Sequence, residues 1–197
     1  MIKIKKIISG KLKENCYIVY DSISLNTIII DPGEEGTELI SFIESTKLIP
    51  ELIINTHGHY DHTLANNKIR KIFNIPLAIH CDDTELLKSN TKSFILPEII
   101  FNTDQKLKAS FVIASILHTP GHTKGSICIL LNNLLITGDT LFAGTIGRTD
   151  LQGGNYQDII NSINKIKKLD PSTIIYPGHG SITTLSNELK NNYFLNT

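Results

Sequence analysis

The chain has 197 residues, 41% of them hydrophobic, which is enough for a single domain over residues 1–197 with a sizeable core. Its 19 basic residues balance 19 acidic ones, so no overall charge attracts nucleic acid or anionic lipid. No apolar run approaches the roughly 18 residues that span a membrane, and the N-terminus lacks the apolar core of a signal peptide. We therefore expect a cytoplasmic protein without a nucleic-acid or membrane partner, in which three widely spaced cysteines stay reduced.

The first half of the chain begins with strands and then alternates helices with strands. Strands are predicted over 2–8, 16–20 and 27–30, and the turn formers Asp31-Pro32-Gly33 end the third. From Glu38 onward the apolar residues recur at helical spacing, which predicts a helix. The apolar run 52–54 predicts a buried strand. A second helix over 64–73 and a strand over 76–79 complete this half.

The second half repeats this order, with strands before helices. Strands are predicted over 99–101, 111–117, 126–131 and 134–137, and the turn Asn132-Asn133 joins the last two. A 3.6-residue period from Tyr156 to Ile166, with Asn155 as its N-cap, predicts a helix. A strand over 172–176 and a short helix over 187–193 follow. This order predicts two sheets packed face to face with helices outside.

Three histidines and an aspartate occupy six residues directly after the predicted strand 52–54 and its Asn55-Thr56 step. They are His57, His59, Asp61 and His62. Imidazole nitrogens and carboxylate oxygens are the ligands that Zn²⁺ and related divalent ions prefer. A single histidine in a polar loop is common, but this density favours a metal site.

Four segments end an apolar run with a turn former and a residue that can bind a metal. These segments deliver His57, His122, Asp139 and His179. If the strands run the same way, their ends form one rim, and the four residues converge there. Five histidines and two aspartates exceed the four ligands of one tetrahedral ion, so they predict two ions that share an aspartate and a hydroxide.

The sequence resembles the metallo-beta-lactamase superfamily, and within it the glyoxalase II-like thioesterases. The matching segments are 15–17, 30–33, 56–62, 119–123, 137–142, 147–150 and 176–180, and together they cover nearly the whole chain. The resemblance implies an α/β fold, the αββα sandwich of two mixed β-sheets flanked by helices. It also implies that His57, His59 and His122 hold a first ion, that Asp61, His62 and His179 hold a second, and that Asp139 bridges them.

Departures from the family narrow the function. Asp139 stands where the β-lactamase branch with this zinc pattern has a cysteine, which argues against antibiotic hydrolysis, and His59 argues against a diiron oxygen reductase, whose pattern has glutamate there. Long glyoxalase II continues into a helical domain that binds glutathione, whereas this sequence ends about 18 residues after His179. Asp150 also replaces an aromatic glutathione contact. The short type II hydroxyacylglutathione hydrolases are therefore the more similar branch.

The expected reaction is hydrolysis of a small-molecule thioester of the S-(hydroxy)acylglutathione type. A hydroxide that bridges the two ions is expected to attack the carbonyl, with Asp61 as the proton acceptor. The ions are expected to be zinc, with iron or manganese as alternatives. Arg148 binds a substrate carboxylate or forms a structural ion pair with Asp150, and the sequence favours neither.

Two other functions stay open at this point. In a persulfide dioxygenase-like oxidoreductase, a single Fe²⁺ would use only His57, His122 and Asp139. A metal-binding protein without catalysis is the other, although the complete ligand set argues against it. Two further histidines, His80 and His118, lack the Pro-Gly turn that precedes His122 and His179, so we expect them to pack in the core or to orient a ligand.

Overall fold

The computed structural model describes residues 1–34, 36–90 and 94–196. The strands are β1 (Ile2–Ser9), β2 (Glu14–Asp21), β3 (Asn26–Ile30), β4 (Ile49–Ile54), β5 (Leu77–His80), β6 (Ile99–Phe101), β7 (Gln105–Lys108), β8 (Ile113–His118), β9 (Ile127–Leu131), β10 (Leu134–Gly138), β11 (Leu141–Phe142), β12 (Thr145–Ile146), β13 (Ile174–Pro177) and β14 (Thr183–Thr184). The helices are α1 (Gly36–Thr46), α2 (Tyr60–Thr63), α3 (Asn66–Phe73), α4 (Thr84–Ser89), α5 (Tyr156–Ile166) and α6 (Leu185–Asn191), with 3₁₀ turns at Cys81–Asp83 and Tyr193–Leu195. The predicted single domain of residues 1–197 includes residues outside the described ones and stays a prediction.

Two six-stranded sheets carry the fold. The first has the order β1-β2-β3-β4-β5-β6, and the second has the order β14-β13-β10-β9-β8-β7. Both are mixed: β1, β2 and β3 pair antiparallel while β3 to β6 pair parallel, and in the second sheet only β10 and β13 pair parallel. β11 and β12 form a separate small hairpin.

Alternation along the strands divides the apolar residues into three layers. In β3, Ile28 and Ile30 point into the core between the sheets, while Ile29 packs with Leu39 and Ile43 of α1. The outer face of the second sheet is covered by α5, which contributes Ile159, Ile163 and Ile166. Helices thus cover both outer faces, which confirms the predicted αββα sandwich.

Strand direction brings the functional loops to one edge. β3, β4 and β5 run parallel. β8 and β10 both run antiparallel to β9 and so point the same way, as does β13. The two sheets are joined at this edge by backbone hydrogen bonds from Ile127 N to Thr56 O (2.8 Å) and from Asn15 N to Gly178 O (2.7 Å). The predicted common rim of strand ends is therefore present.

The local differences from the sequence prediction have identifiable causes. The helix predicted over 64–73 begins at Asn66, because Ala65 N donates to Pro32 O (3.1 Å) and interrupts the helical ladder after α2. The last helix begins at Leu185 because the Thr184 hydroxyl caps it by accepting from Asn187 N. The sequence pattern does not predict the short elements α2, α4, β7, β11, β12 and β14. None of the helices within the described ranges has the length and apolarity needed to cross a bilayer.

Candidate metal centre

The seven residues predicted as metal ligands lie together at the rim. The first triad (His57, His59 and His122) and the second triad (Asp61, His62 and His179) each present one nitrogen or oxygen per residue, all within 4.8 Å of one another. Four separate segments supply them, after β4, β8, β10 and β13, and Asp61 and His62 lie on α2 in the first of these. The structure thus brings the predicted set together, and each residue's role as a ligand stays a prediction.

Asp139 lies between the two triads. Its Oδ1 is 3.4 Å from His62 Nε2, and its Oδ2 is 3.5 Å from His122 Nε2. The loop after β13 approaches this carboxylate so closely that a Cβ on Gly178 would be 2.3 Å from Asp139 Oδ1. Asp139 Oδ2 is also 3.7 Å from His179 Nε2, so this carboxylate lies close to both triads, at the position of the predicted bridge.

The donor atoms of the centre lack ordinary partners. Within the described part of the chain, His57 Nε2 and Asp139 Oδ1 are buried and form no hydrogen bond, although buried polar atoms nearly always have a partner. Ring nitrogens face each other at 2.9 Å between His59 and His122, and at 3.3 Å between His62 and His179. Lone pairs in this arrangement suit bound cations, so the donor set fits two divalent ions.

Hydrogen bonds to the Nδ1 atoms of four histidines turn their Nε2 atoms toward the centre. The partners are Thr56 Oγ1 for His57 (3.1 Å), Asp31 Oδ2 for His62 (3.0 Å), Arg148 O for His122 (2.8 Å) and Leu12 O for His179 (3.1 Å). Histidine ligands of metals are typically oriented in this way. The tautomer that each contact favours leaves Nε2 free to coordinate.

Asp31 combines a turn with support of the centre. It adopts a left-handed backbone conformation with φ of 50°, which suits an Asp at a tight turn. Its carboxylate also accepts hydrogen bonds from Thr56 N (2.7 Å) and Thr56 Oγ1 (2.6 Å) in addition to its contact with His62. Asp31 therefore forms the turn and also supports the candidate metal site.

The two triads differ in their protonation. Burial, together with the neighbouring histidines, lowers the pKa of His57, and burial and His122 lower the pKa of His59 to about 4. Burial also disfavours the charged form of His62, but Asp139 and Asp31 outweigh it and raise the pKa of His62 to about 10. His57 and His59 are therefore neutral at neutral pH, whereas His62 holds a proton that a cation must displace.

Two acidic residues near the centre were missed by sequence reasoning. Glu14 is fully buried with Oε1 3.9 Å from His62 Nδ1, and burial raises its pKa. The only indication of Glu14 in the sequence is its charge at the start of a mainly apolar strand, directly before Asn15-Cys16-Tyr17. Asp83, also buried, hydrogen-bonds the loops of the first triad. Its partners are 25 and 40 residues away, so the local sequence offers no signal for this role.

Arg148 lies at the surface beside the centre. Its side chain is 61% exposed and forms a two-point ion pair with Asp150, from Nε to Oδ1 (2.8 Å) and from Nη2 to Oδ2 (2.7 Å). Its carbonyl oxygen meanwhile orients His122. The structural ion pair is thus present, and substrate binding by Arg148 stays a prediction.

His80 and His118 form a separate stacked pair. Their ring centroids are 4.0 Å apart and their planes differ by 12°. A metal ion binds an imidazole nitrogen in the plane of the ring, and one ion cannot lie in two parallel planes at this separation. Although Asp82 lies near both rings, the geometry supports the expectation that these histidines pack instead of binding metal.

Comparison with known families agrees with this architecture. The model of the metallo-beta-lactamase superfamily matches residues 10–179. The chain belongs to that superfamily, as the sequence motifs predicted.

Individual relatives align with this chain over most of its length. The hydroxyacylglutathione hydrolase GloC of Haemophilus influenzae is 37% identical over 201 residues, which cover 94% of this chain and 94% of that protein. The crystal structure of BLEG-1 B3 metallo-beta-lactamase has a TM-score of 0.91 at 33% identity, covering 99% of this chain and all of that one (100%). That of TTHA1623 in a di-iron-bound form has a TM-score of 0.87 at 30% identity, covering 97% and 100%.

Proposed function

We propose that this protein is a binuclear metal-dependent hydrolase of S-acylglutathione-type thioesters. The observation that carries the proposal is the position of Asp139, whose carboxylate lies 3.4 Å from His62 Nε2 and 3.5 Å from His122 Nε2, one histidine of each triad. A pair of bound divalent ions would supply a hydroxide at neutral pH and would polarise a substrate carbonyl. Zinc is the first choice of metal. Iron and manganese use the same ligand types, and the similarity to a di-iron protein supports testing iron.

Asp61 is suited to accept a proton. Its Oδ2 lies 3.3 Å from His179 Nε2 and 3.7 Å from His62 Nε2, and its side chain is 14% exposed. Burial opposes ionisation of Asp61, but the hydrogen bond to His179 and the charge of His62 outweigh it and lower its pKa. Asp61 is therefore ionised at neutral pH at the edge of the centre, as a general base must be.

A cavity beside Asp61 offers space for the substrate. Its volume is about 210 Å³, and its lining includes Lys11, Leu12 and Tyr60. Leu12 and Tyr60 are 52% and 48% exposed, so apolar surface flanks the reacting centre. This cavity gives an acyl or thiol group a place to bind next to the proposed base.

The thioester class is supported by the GloC relative and by the chemistry of the leaving group. GloC carries the name hydroxyacylglutathione hydrolase and aligns along nearly the whole chain. A thiolate leaves easily, so a thioester needs little help from a protein acid. These points favour thioesters over amides as substrates.

Hydrolysis of β-lactams is a second candidate. The sequence argues against it, because Asp139 stands where the β-lactamase branch with this zinc pattern has a cysteine. The similarity to BLEG-1, which is named a B3 metallo-beta-lactamase, supports testing it. Both reactions need a carbonyl polarised beside a hydroxide. They differ in substrate binding and in the leaving group, which is a thiolate in one case and an amide nitrogen in the other.

The test is a substrate panel on protein isolated without added metal and on protein loaded with Zn²⁺, Fe²⁺ or Mn²⁺. The panel contains S-lactoylglutathione, a short acyl thioester without glutathione, a chromogenic β-lactam, and glutathione persulfide with an oxygen electrode. The proposal expects two metal ions per chain and hydrolysis of the glutathione thioester above the other substrates. One iron with oxygen uptake would contradict it in favour of oxidation, and exclusive β-lactam turnover would favour the second candidate.

A further inference from the structure

A single carboxylate outside the seven-residue set joins the loops of the first triad. Asp83 is 1% exposed. Its Oδ2 accepts hydrogen bonds from Gly58 N (2.8 Å) and Thr123 Oγ1 (2.7 Å), and its Oδ1 accepts one from Gly125 N (2.7 Å). Gly58 lies between His57 and His59, and Thr123 follows His122. The carboxylate therefore contacts the backbone or side chain next to every member of the first triad.

This carboxylate does not serve its own helix. Asp83 occupies the N-cap position of α4, where an Asp side chain commonly accepts from the first turn. Within the described residues it makes no such capping bond. Three donors from two other loops occupy its oxygens instead, so the role of Asp83 lies in joining those loops.

The fit between this turn and the ligand loops is tight. A Cβ on Gly58 would be 2.9 Å from Asp83 O, and a Cβ on Gly125 would be 2.7 Å from Asp83 Cγ. The carbonyl of Gly58 is held from its other side by Asn90 Nδ2 at 2.7 Å. Gly58, the residue that separates His57 from His59, is thus fixed at both its N–H and its C=O by side chains of the 83–90 segment.

We propose that Asp83 is a positioning residue that sets the affinity of the first metal position selectively. It fixes the distance between the His57–His59 loop and the His122 loop, while the second triad is oriented by Asp31 and Leu12. Residues that orient metal ligands typically contribute about 10–100-fold to metal affinity. The inference rests on the proposed metal centre, but not on the thioester as substrate.

The test measures metal affinity at each position separately. In a background with Asp61→Ala and His179→Ala, one ion remains at the first triad, and in a His59→Ala background one remains at the second. Asp83→Asn is introduced into both, and dissociation constants for Zn²⁺ and Co²⁺ are measured by competition with a chromogenic chelator. We expect a loss of about 10–100-fold in the first background and less than about threefold in the second.

The control is Asp82→Asn in the same backgrounds. Asp82 is the adjacent carboxylate, 51% exposed, so the control removes equal charge without touching the ligand loops. Equal losses in both backgrounds, or none in either, would overturn the proposal. Thr123→Val removes one of the three bonds with Asp83 intact. It should weaken the first position by a smaller factor, which keeps the test available if Asp83→Asn folds poorly.

Two further readouts separate this inference from other failures. With excess chelator, Asp83→Asn should lower the unfolding midpoint more than Asp82→Asn, because it leaves buried donors unpaired, yet it should weaken only the first metal position, whereas a merely structural Asp83 would weaken both positions. Wild-type protein that binds fewer than two ions would contradict the proposed function itself. Two bound ions without thioester turnover would contradict the substrate and leave the role of Asp83 intact.

Discussion

Asp31 Oδ2 lies 3.0 Å from His62 Nδ1 and 2.6 Å from Thr56 Oγ1. Because Thr56 Oγ1 donates to Asp31, it accepts from His57 Nδ1 at 3.1 Å. One carboxylate therefore orients a histidine of the second triad directly and a histidine of the first triad through a hydroxyl. Asp31 thus links the two triads on the Nδ1 side of their imidazoles, whereas Asp139 lies near Nε2 atoms of both triads.

Asp31→Asn should weaken both metal positions. An amide NH₂ would face groups that now donate to Asp31, so the histidine tautomers set by this network would no longer be favoured. We expect a loss of about 10–100-fold in the affinity of each ion, measured by chelator competition. This differs from Asp83→Asn, which should affect the first position alone. Unchanged affinity at both positions would contradict the orienting role.

Asp61→Asn should weaken the second ion, of which Asp61 is a predicted ligand, and should still lower kcat when excess metal keeps both ions bound. The amide cannot accept the proton, and loss of a general base typically costs about 10²–10⁴-fold in kcat. The measurement is steady-state hydrolysis of S-lactoylglutathione on protein whose metal content has been determined. Asp170→Asn, a surface carboxylate in the turn before β13, is the matched control. A variant with wild-type kcat would remove Asp61 from the mechanism.

The pH dependence of metal binding should differ between the two positions. His62, with a pKa raised to about 10, is protonated at neutral pH, so a cation must displace its proton. Raising the pH from 6 to 9 should therefore strengthen the second ion by about tenfold per pH unit. His59, with a pKa of about 4, is already neutral over this range, so it adds no such slope at the first ion. Chelator competition at several pH values tests this, and equal slopes would contradict it.

Arg148→Gln should distinguish substrate binding by Arg148 from a purely structural ion pair with Asp150. If Arg148 binds a substrate carboxylate, KM for S-lactoylglutathione rises about tenfold while kcat and thermal stability hardly change. Asp150→Asn is the informative partner variant, because it releases Arg148 from its two-point contact and should leave KM unchanged or lower it. Equal KM values for wild type and Arg148→Gln would contradict substrate binding by Arg148. The surface ion pair with Asp150 would then be its only role.

The layers and the main part of the centre could be predicted because their signals are local. The continuous run Ile28-Ile29-Ile30 of β3 is typical of a strand buried on both faces, and the 3.6-residue period of α5 follows from burial on one face. His57, His59, Asp61 and His62 are neighbours in sequence, and His122 and His179 each follow a Pro-Gly turn. Parallel strand ends then bring these separate loops to one rim.

The supporting residues could not be found in the same way. Asp83 acts on atoms 25 to 42 residues away, and Glu14 reaches His62 only because β2 lies beside the loop of His179. Long-range contacts of this kind depend on how the two sheets pack. The short strands β11, β12 and β14 have two residues each, too few for a period-2 pattern to stand out.

The central claim is that seven side chains from four loops hold two cations with Asp139 between them. Anomalous diffraction from crystals of metal-loaded protein tests it most directly. We expect two peaks, about 3.5–4 Å apart, one beside His57, His59 and His122 and the other beside Asp61, His62 and His179. A single peak, or peaks away from these residues, would contradict the account.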